Sequence, residues 1–190
     1  MMFLYRYLFT AMWLAWALYW WVLKRDVKAT TRHEPAWSRL AHVIPLVVAA
    51  LLLGIPRMHV PILGERFLPL TLWSYWMGAG LTAAGLLFTV WARVHIGRNW
   101  SGTVTIKEGH ELITSGPYAI VRHPIYSGLL LALLGSALAR GEWRGVLALA
   151  IAFLALWRKL RLEERWMREQ FGPAYEAYRQ RVAALIPFLF

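Results

Sequence analysis

The chain has 190 residues, 59% of them hydrophobic and only 16% charged, against roughly 25% charged in ordinary soluble domains. A soluble globule of this size cannot hide so much apolar surface, whereas a bilayer removes the need to hide it, so the composition excludes a freely soluble enzyme, a disordered tail and a disulfide-stapled secreted domain. With no cysteine in the chain, thiol nucleophiles and Cys-based zinc or iron–sulfur sites are excluded as well.

Residues 3–23 form an apolar run broken only by Arg6, enough helix at about 1.5 Å per residue to cross a bilayer. The run is too long for a signal peptide and lacks the basic leader and small-residue cleavage site of one. Residues 40–55 make a second, shorter span that contains Pro45 and ends at Pro56. The third runs from about Leu70 to Ala92, and its Gly78, Ala79, Gly80, Thr82, Ala83 and Ala84 form small-xxx-small pairs that let another helix approach closely. Residues 125–139 and 143–157 are short apolar runs on either side of Arg140-Gly141-Glu142, which predicts a tight helical hairpin whose cytoplasmic ends continue beyond the hydrocarbon. The last of these helices is expected to run on through the charged residues 158–170 until Gly172-Pro173 stops it, with a short final helix over residues 174–184.

The net charge of +11 invites a nucleic-acid reading, but the basic residues sort by side of the membrane. With five spans, sixteen of the 21 fall in the 24–39 loop, the 93–122 connection and the tail, leaving Arg6, Arg57, Arg66, Arg140 and Arg144 opposite. The positive-inside rule then sets the N-terminus outside and the C-terminus in the cytoplasm, and no nucleic-acid partner is expected. Trp20, Trp21, Trp91 and Trp157 fall near one predicted interface and Trp73, Trp76 and Trp143 near the other, as an aromatic belt requires.

The connection between the third and fourth spans is too long for a simple link. It carries Gly97-Arg98-Asn99-Trp100-Ser101, then residues 108–118, then Val121-Arg122-His123-Pro124-Ile125-Tyr126-Ser127-Gly128. Ionisable groups where a chain enters the membrane are functional candidates by default. Pro124 suits the first turn of a helix, where its missing N–H costs nothing, and this sets Arg122 and His123 at the helix mouth with Tyr126 just inside. In the tail, Glu163 and Glu164 sit on the helix leaving the fifth span, and Tyr175, Tyr178 and Arg181 follow at spacings of three on one helical face. On residue types alone, the first segment is equally a lipid-headgroup anchor and the glutamates equally surface ion pairs. Other templates fail: the chain has no His-Glu-x-x-His, Gly-x-Ser-x-Gly, Walker loop or Gly-x-Gly-x-x-Gly pattern, and no metal site is expected.

Together, His110-x-Leu112-x-Thr114-x-Gly116-x-Tyr118, Arg122-His123-Pro124-x-Tyr126-x-Gly128, and Glu163-Glu164 followed by Phe171-Gly172-x-x-Tyr175-x-x-Tyr178-x-x-Arg181-Val182 resemble the isoprenylcysteine carboxyl methyltransferases, with phospholipid methyltransferases as wider relatives. The closing Leu185-Ile186-Pro187-Phe188 also fits. The resemblance covers residues 95–188 and implies one all-α integral membrane domain over residues 1–190, in which 1–94 supply N-terminal helices and 95–190 the methyltransferase core. It implies a cytoplasmic-side S-adenosylmethionine pocket between the 93–128 connection and the C-terminal helices, and a lipophilic or prenylated acceptor entering from the bilayer.

For the cofactor the resemblance implies His110, Leu112, Gly116, Tyr118, His123, Tyr126 and Glu163. Arg122 and Arg181 are implied to hold the acceptor's carboxylate or the cofactor's, Glu164 to serve as base were the acceptor an amine, and Tyr178 and Trp100 to meet the acceptor. Amine N-methylation of a phospholipid, a NADPH-dependent membrane reductase and a non-catalytic scaffold are the alternatives.

Overall fold

The computed structural model describes residues 2–23, 30–56, 60–100, 105–107 and 111–189. Among them, helices α1 (Met2–Leu23), α2 (Ala36–Gly54), α3 (Leu72–Ile96), α4 (Pro124–Arg140), α5 (Trp143–Phe171) and α6 (Pro173–Arg181) follow in chain order. Every apolar run expected to be helical is helical, and α5 continues unbroken through its charged half. The stops are those read from glycine and proline. Gly141 takes φ +65° and Gly172 φ +50° at the ends of α4 and α5, conformations that an L side chain resists. Pro124 occupies the first turn of α4. At the start of α3, Thr71 and Ser74 close a reciprocal capping box.

One element departs from the all-α expectation. Strands β1 (Thr30–His33) and β2 (Thr105–Lys107) pair antiparallel, tying the loop after α1 to the long connection after α3. Neither segment alternates apolar and polar residues over enough length to announce a strand.

The closest helix pair is α3 with α4. A Cβ added to Gly78 would lie 2.5 Å from the Gly135 carbonyl oxygen, and one on Gly85 would lie 2.5 Å from that of Gly128. Gly135 in turn backs onto Thr82, whose hydroxyl donates to the Gly78 carbonyl at 2.9 Å. The seam is therefore Gly78, Thr82 and Gly85, at helical spacing on one face, while Gly80 meets open space. Across this seam α1 adds two indole bonds, from Trp13 to Ser136 at 3.1 Å and from Trp16 to Thr89 at 2.7 Å.

Both α2 and α3 are long and apolar enough to cross a membrane, and α1 from Tyr7 and α4 are shorter apolar helices. The α2 helix decides the solvent. It buries Ser38, His42 and Ala49 and exposes Trp37, Leu40, Ile44, Val47 and Leu51. Polar groups inside and large apolar ones outside are the reverse of a helix in water and the expected pattern in lipid. Leu14 and Leu18 on α1, Leu87 and Val94 on α3 and Leu154 on α5 are exposed in the same way.

The apolar core joins α2, α4 and α5. Ala49, Ala148 and Ala152 pack with Leu46 and Leu133. One turn closer to the site, Tyr126, Leu156, Leu160, Ala184 and Leu185 pack with Leu46, Ile125 and Leu129.

Candidate active site

The mouth of α4 is built by two distant stretches of chain. Residues 121–123 lie extended beside the tail, the Arg122 amide donating to the Ala183 carbonyl at 2.8 Å and the His123 amide to that of Ala184 at 3.0 Å. The Ser127 hydroxyl adds a bond to the Leu185 carbonyl at 2.5 Å. This backbone ladder fixes the tail after α6 against the mouth of α4.

Onto this mouth α5 directs two consecutive carboxylates, which helical geometry turns about 100° apart. Each meets its own partner. Glu164 Oε1 accepts from Arg122 Nη2 at 2.6 Å and Nε at 2.8 Å. Glu163 Oε1 accepts from the Tyr126 hydroxyl at 2.5 Å. Between them lies His123, with Nδ1 3.5 Å from Glu163 Oε2 and Nε2 3.5 Å from Glu164 Oε1. Its ring stacks on Tyr126 at 5.5 Å and 4°. The remaining Arg122 nitrogen, Nη1, donates to the carbonyls of Arg179 and Val182 at the end of α6.

These groups tune one another. Burial alone would raise the Glu164 carboxyl, but His123 and Arg122 outweigh it and hold it at about 2. For Glu163, burial likewise pushes upward, and His123 and Lys159 bring it below the usual carboxylate range. Burial would lower the His123 imidazole, and its two carboxylate neighbours raise it instead. The result is a buried imidazolium bracketed by two ionised carboxylates. Burial pushes the Tyr178 phenol up to about 12 and raises Tyr118 and Tyr175 as well, so these phenols stay protonated. Tyr178 uses its proton on the Tyr118 carbonyl, at 2.5 Å.

Of the residues singled out from sequence, Arg122, His123, Tyr126, Glu163 and Glu164 converge here, with Tyr118 and Tyr178 joined behind them. Gly116 has φ +59°, and a Cβ there would lie 2.6 Å from the His95 ring. The close approach made at this glycine is thus to His95, which also bonds Ser115 at 2.9 Å. Leu112 is half-buried in the segment leading to it, and His110 lies outside the described residues. Trp100 packs on the Arg93 guanidinium at 4.6 Å and edge-on to Trp20 at 6.1 Å, where it closes the ends of α1 and α3.

Arg181 stands apart, exposed, with its Nε on the Ala177 carbonyl at 3.2 Å. Steps of three residues lag the 3.6-residue turn by about 60° each, so by Arg181 the stripe begun at Tyr175 has rotated away. Four residues on from Tyr175, Arg179 stays beneath the cluster, its Nε 3.7 Å from Glu164 Oε2. Arg179 and Lys159, which lies 3.8 Å from Glu163, were missed in sequence. The signal that could have found them is i,i+4 spacing, Arg179 from Tyr175 and Lys159 from Glu163.

Comparison with known proteins gives this cluster a context. The phospholipid methyltransferase family profile matches residues 73–174, more than half of the chain. The chain belongs to the phospholipid methyltransferase family. It is 30% identical over 123 residues to protein-S-isoprenylcysteine O-methyltransferase B of Arabidopsis thaliana, covering 62% of this chain and 61% of that one. To the protein-S-isoprenylcysteine O-methyltransferase of Schizosaccharomyces pombe it is 35% identical over 104 residues, covering 52% and 43%. It is also 32% identical over 160 residues to the cobalt-zinc-cadmium resistance protein CzcN of Cupriavidus metallidurans, covering 84% and 66%.

The plant relative fixes the scale of the likeness, since this family member spans 61% of its length. The likeness to isoprenylcysteine carboxyl methyltransferases drawn from the three motifs is borne out by these relatives. Among the described residues no group of three or more His, Asp or Glu is placed to hold a metal ion.

Proposed function

We propose that the protein is an S-adenosylmethionine-dependent membrane methyltransferase that acts on a lipophilic acceptor, and that the methylated atom is a carboxylate oxygen of an isoprenylcysteine-like compound. The observation that carries this reading is the buried set Arg122, His123, Tyr126, Glu163 and Glu164 at the meeting of α4, α5 and the tail. The donor set fits the cofactor. His123 Nε2 and Arg179 Nε are buried without a hydrogen-bond partner, as donors for a carboxylate or ribose oxygen would be. The ionised Glu163 suits a sulfonium. On this reading Tyr118, His123, Tyr126 and Glu163 hold the cofactor, with His110, Leu112 and Gly116 on the approach to it.

Bound there, S-adenosylmethionine would supply a methyl group already activated by a positive sulfur. A carboxylate acceptor attacks with its own lone pair, so the chain needs no general base, and alignment and charge placement supply the acceleration. Arg122 is committed to Glu164 and to the end of α6, so it acts by fixing that carboxylate. Arg181, on the exposed side of α6, offers a guanidinium fork to the acceptor's carboxylate from outside. Glu164 takes the base role only for an amine acceptor. Tyr178 and Trp100 form the acceptor side of the pocket.

The same reading gives five spans, with the N-terminus outside, the C-terminus cytoplasmic and the acceptor arriving sideways from the bilayer. Calorimetry on the full chain in nanodiscs tests it. Saturable binding of S-adenosylmethionine and S-adenosylhomocysteine, with methyl transfer to an S-farnesyl cysteine derivative, is expected. Binding of NADPH alone favours a reductase, binding of none of the three a scaffold, and transfer only to an aminophospholipid an N-methyltransferase.

A further inference from the structure

A second buried polar cluster lies on α2 and its approach, outside the residues matched by the family profile. Glu34 and His42 are 8% and 1% exposed, and Glu34 Oε1 is 3.4 Å from His42 Nε2. On the other side of the ring, His42 Nδ1 stands 3.5 Å from Arg158 Nη1. The same guanidinium donates to the Ser38 carbonyl at 3.0 Å and to the Ser38 hydroxyl at 3.1 Å. A guanidinium only donates and a carboxylate only accepts, so this setting assigns the lone pair to Nδ1 and the proton to Nε2. Nδ1 accepts from Arg158, and Nε2 faces the Glu34 carboxylate at 3.4 Å without a hydrogen bond of its own, so His42 sits as a strut between the two charges.

What the strut supports is the neighbouring residue of α5. The charged groups around His42 are Lys159, Glu34, Arg158 and Glu163. Lys159 is buried, its ammonium 3.8 Å from Glu163 Oε1 and 5.3 Å above the Tyr126 ring. A lysine at the end of a membrane helix ordinarily extends its four-carbon stem to the headgroups. Here it is turned inward, and the residue before it is pinned to α2 by three contacts.

We propose that Glu34 and His42 are positioning residues of the active site: they anchor Arg158, and with it the end of α5, so that Lys159 is held against Glu163 and Tyr126. The N-terminal helices are then part of the methyl-transfer machinery and more than a platform for it. This rests on the methyltransferase reading above.

The test is cofactor affinity of the full chain in nanodiscs, measured by calorimetry across a pH series. The groups facing Glu163 are His123 and Tyr126 at the start of α4 and Lys159 on α5, with Tyr118, Tyr175 and His42 at longer range. Losing Lys159 from that set lets the Glu163 carboxyl rise, so the acidic limb of binding should move to higher pH. His42→Phe, which keeps a ring and removes both polar atoms, is expected to weaken binding about fivefold and raise the limb by about half a unit.

His42→Gln, which retains a donor and an acceptor, should recover most of both. Lys159→Met should reproduce the shift, with His42→Phe adding nothing on top of it. Should His42→Phe fail to fold, Glu34→Met, which removes the acceptor facing Nε2, is expected to give the same displaced limb. An unmoved limb in the folded variant, equal losses for Phe and Gln, or additive shifts with Lys159→Met overturn the proposal alone. Failure of the wild-type chain to bind S-adenosylmethionine overturns the methyltransferase reading and this inference with it.

Discussion

Arg144 and Arg122 lie at opposite ends of the bundle and do the same backbone work. At the far end, Arg144 is 1% exposed, donates to the Ile55 and Pro56 carbonyls at 2.6 and 3.3 Å, and pairs with Glu142 at 2.5 Å. Beside it, Arg140 donates to the Leu53 carbonyl at 2.6 Å. These carbonyls close α2, where a helix has no acceptors' partners of its own. Arg122 treats the end of α6 alike, bonding the Arg179 and Val182 carbonyls while it pairs with Glu164.

Around its arginine the site end adds a second buried carboxylate, an imidazole between the two, and buried nitrogens on His123 and Arg179 without hydrogen-bond partners. A buried arginine–carboxylate pair is therefore no mark of a site in this fold. The additions around it are.

Breaking the far end should cost the fold and spare the site. Arg144→Met leaves Glu142 with only its longer contacts to Arg140 and Arg66 and removes the donor to the Ile55 and Pro56 carbonyls, and is expected to lower stability by about 2–3 kcal/mol, with cofactor affinity in the folded fraction unchanged. Thermal melts and calorimetry on one preparation read both. At the site end the balance should invert. Arg122→Lys keeps a charge but loses the fork that holds Glu164, and methyl transfer is expected to fall about a hundredfold, or ~2.7 kcal/mol of barrier, with a smaller loss in melting temperature.

The site end should also show itself by pH. His123 is raised in the folded state by Glu163 and Glu164, so the folded chain holds its proton more tightly than the unfolded chain, with a value of about 6.5, does. That contribution is fully present below about pH 6.5 and is lost as pH rises through the folded value. The melting temperature should decline across that window, and His123→Gln should flatten the decline. Glu164, held at about 2, works in the other direction: its stabilisation is present above the unfolded value of about 4.3 and disappears as pH falls toward the folded one. The smallest effect belongs to Thr71→Ala, which removes the cap of α3 and should lower stability by about 1 kcal/mol without touching binding.

Much of this was legible in the residues. Apolar run length located the helices, Gly141, Gly172 and Pro124 their ends, and small residues the α3–α4 seam, because each signal is local and has a single physical cause. At the seam the structure differs in one detail: Gly80, as small as Gly78, meets open space, whereas Gly85, two turns on from Gly78, makes the contact.

At the site, Arg122, His123, Glu163 and Glu164 were readable because ionisable groups at a membrane entrance are costly and need a reason. Arg179 lies between the positions that a spacing of three picks out. Glu34 and His42 carry no local signal, since the apolar run begins only at Leu40 and the glutamate precedes it. Their pairing is made by one helical face that only the fold displays. The β1–β2 ribbon was invisible for a similar reason, since each half is too short to carry a period.

The backbone ladder between residues 121–123 and 183–184 also sets a schedule. A ribosome feeding this chain into a membrane delivers α4 well before the strand that lines its mouth, for the Val182 carbonyl that receives Arg122 lies 60 residues downstream. Until then Arg122 has Glu164, 42 residues downstream, but not the end of α6 to hold, and the helical hairpin is inserted with its mouth open. On the methyltransferase reading, the site is therefore incomplete until residues 182–184 have followed α6. A nascent chain stalled after α5 should be membrane-embedded and unable to bind cofactor.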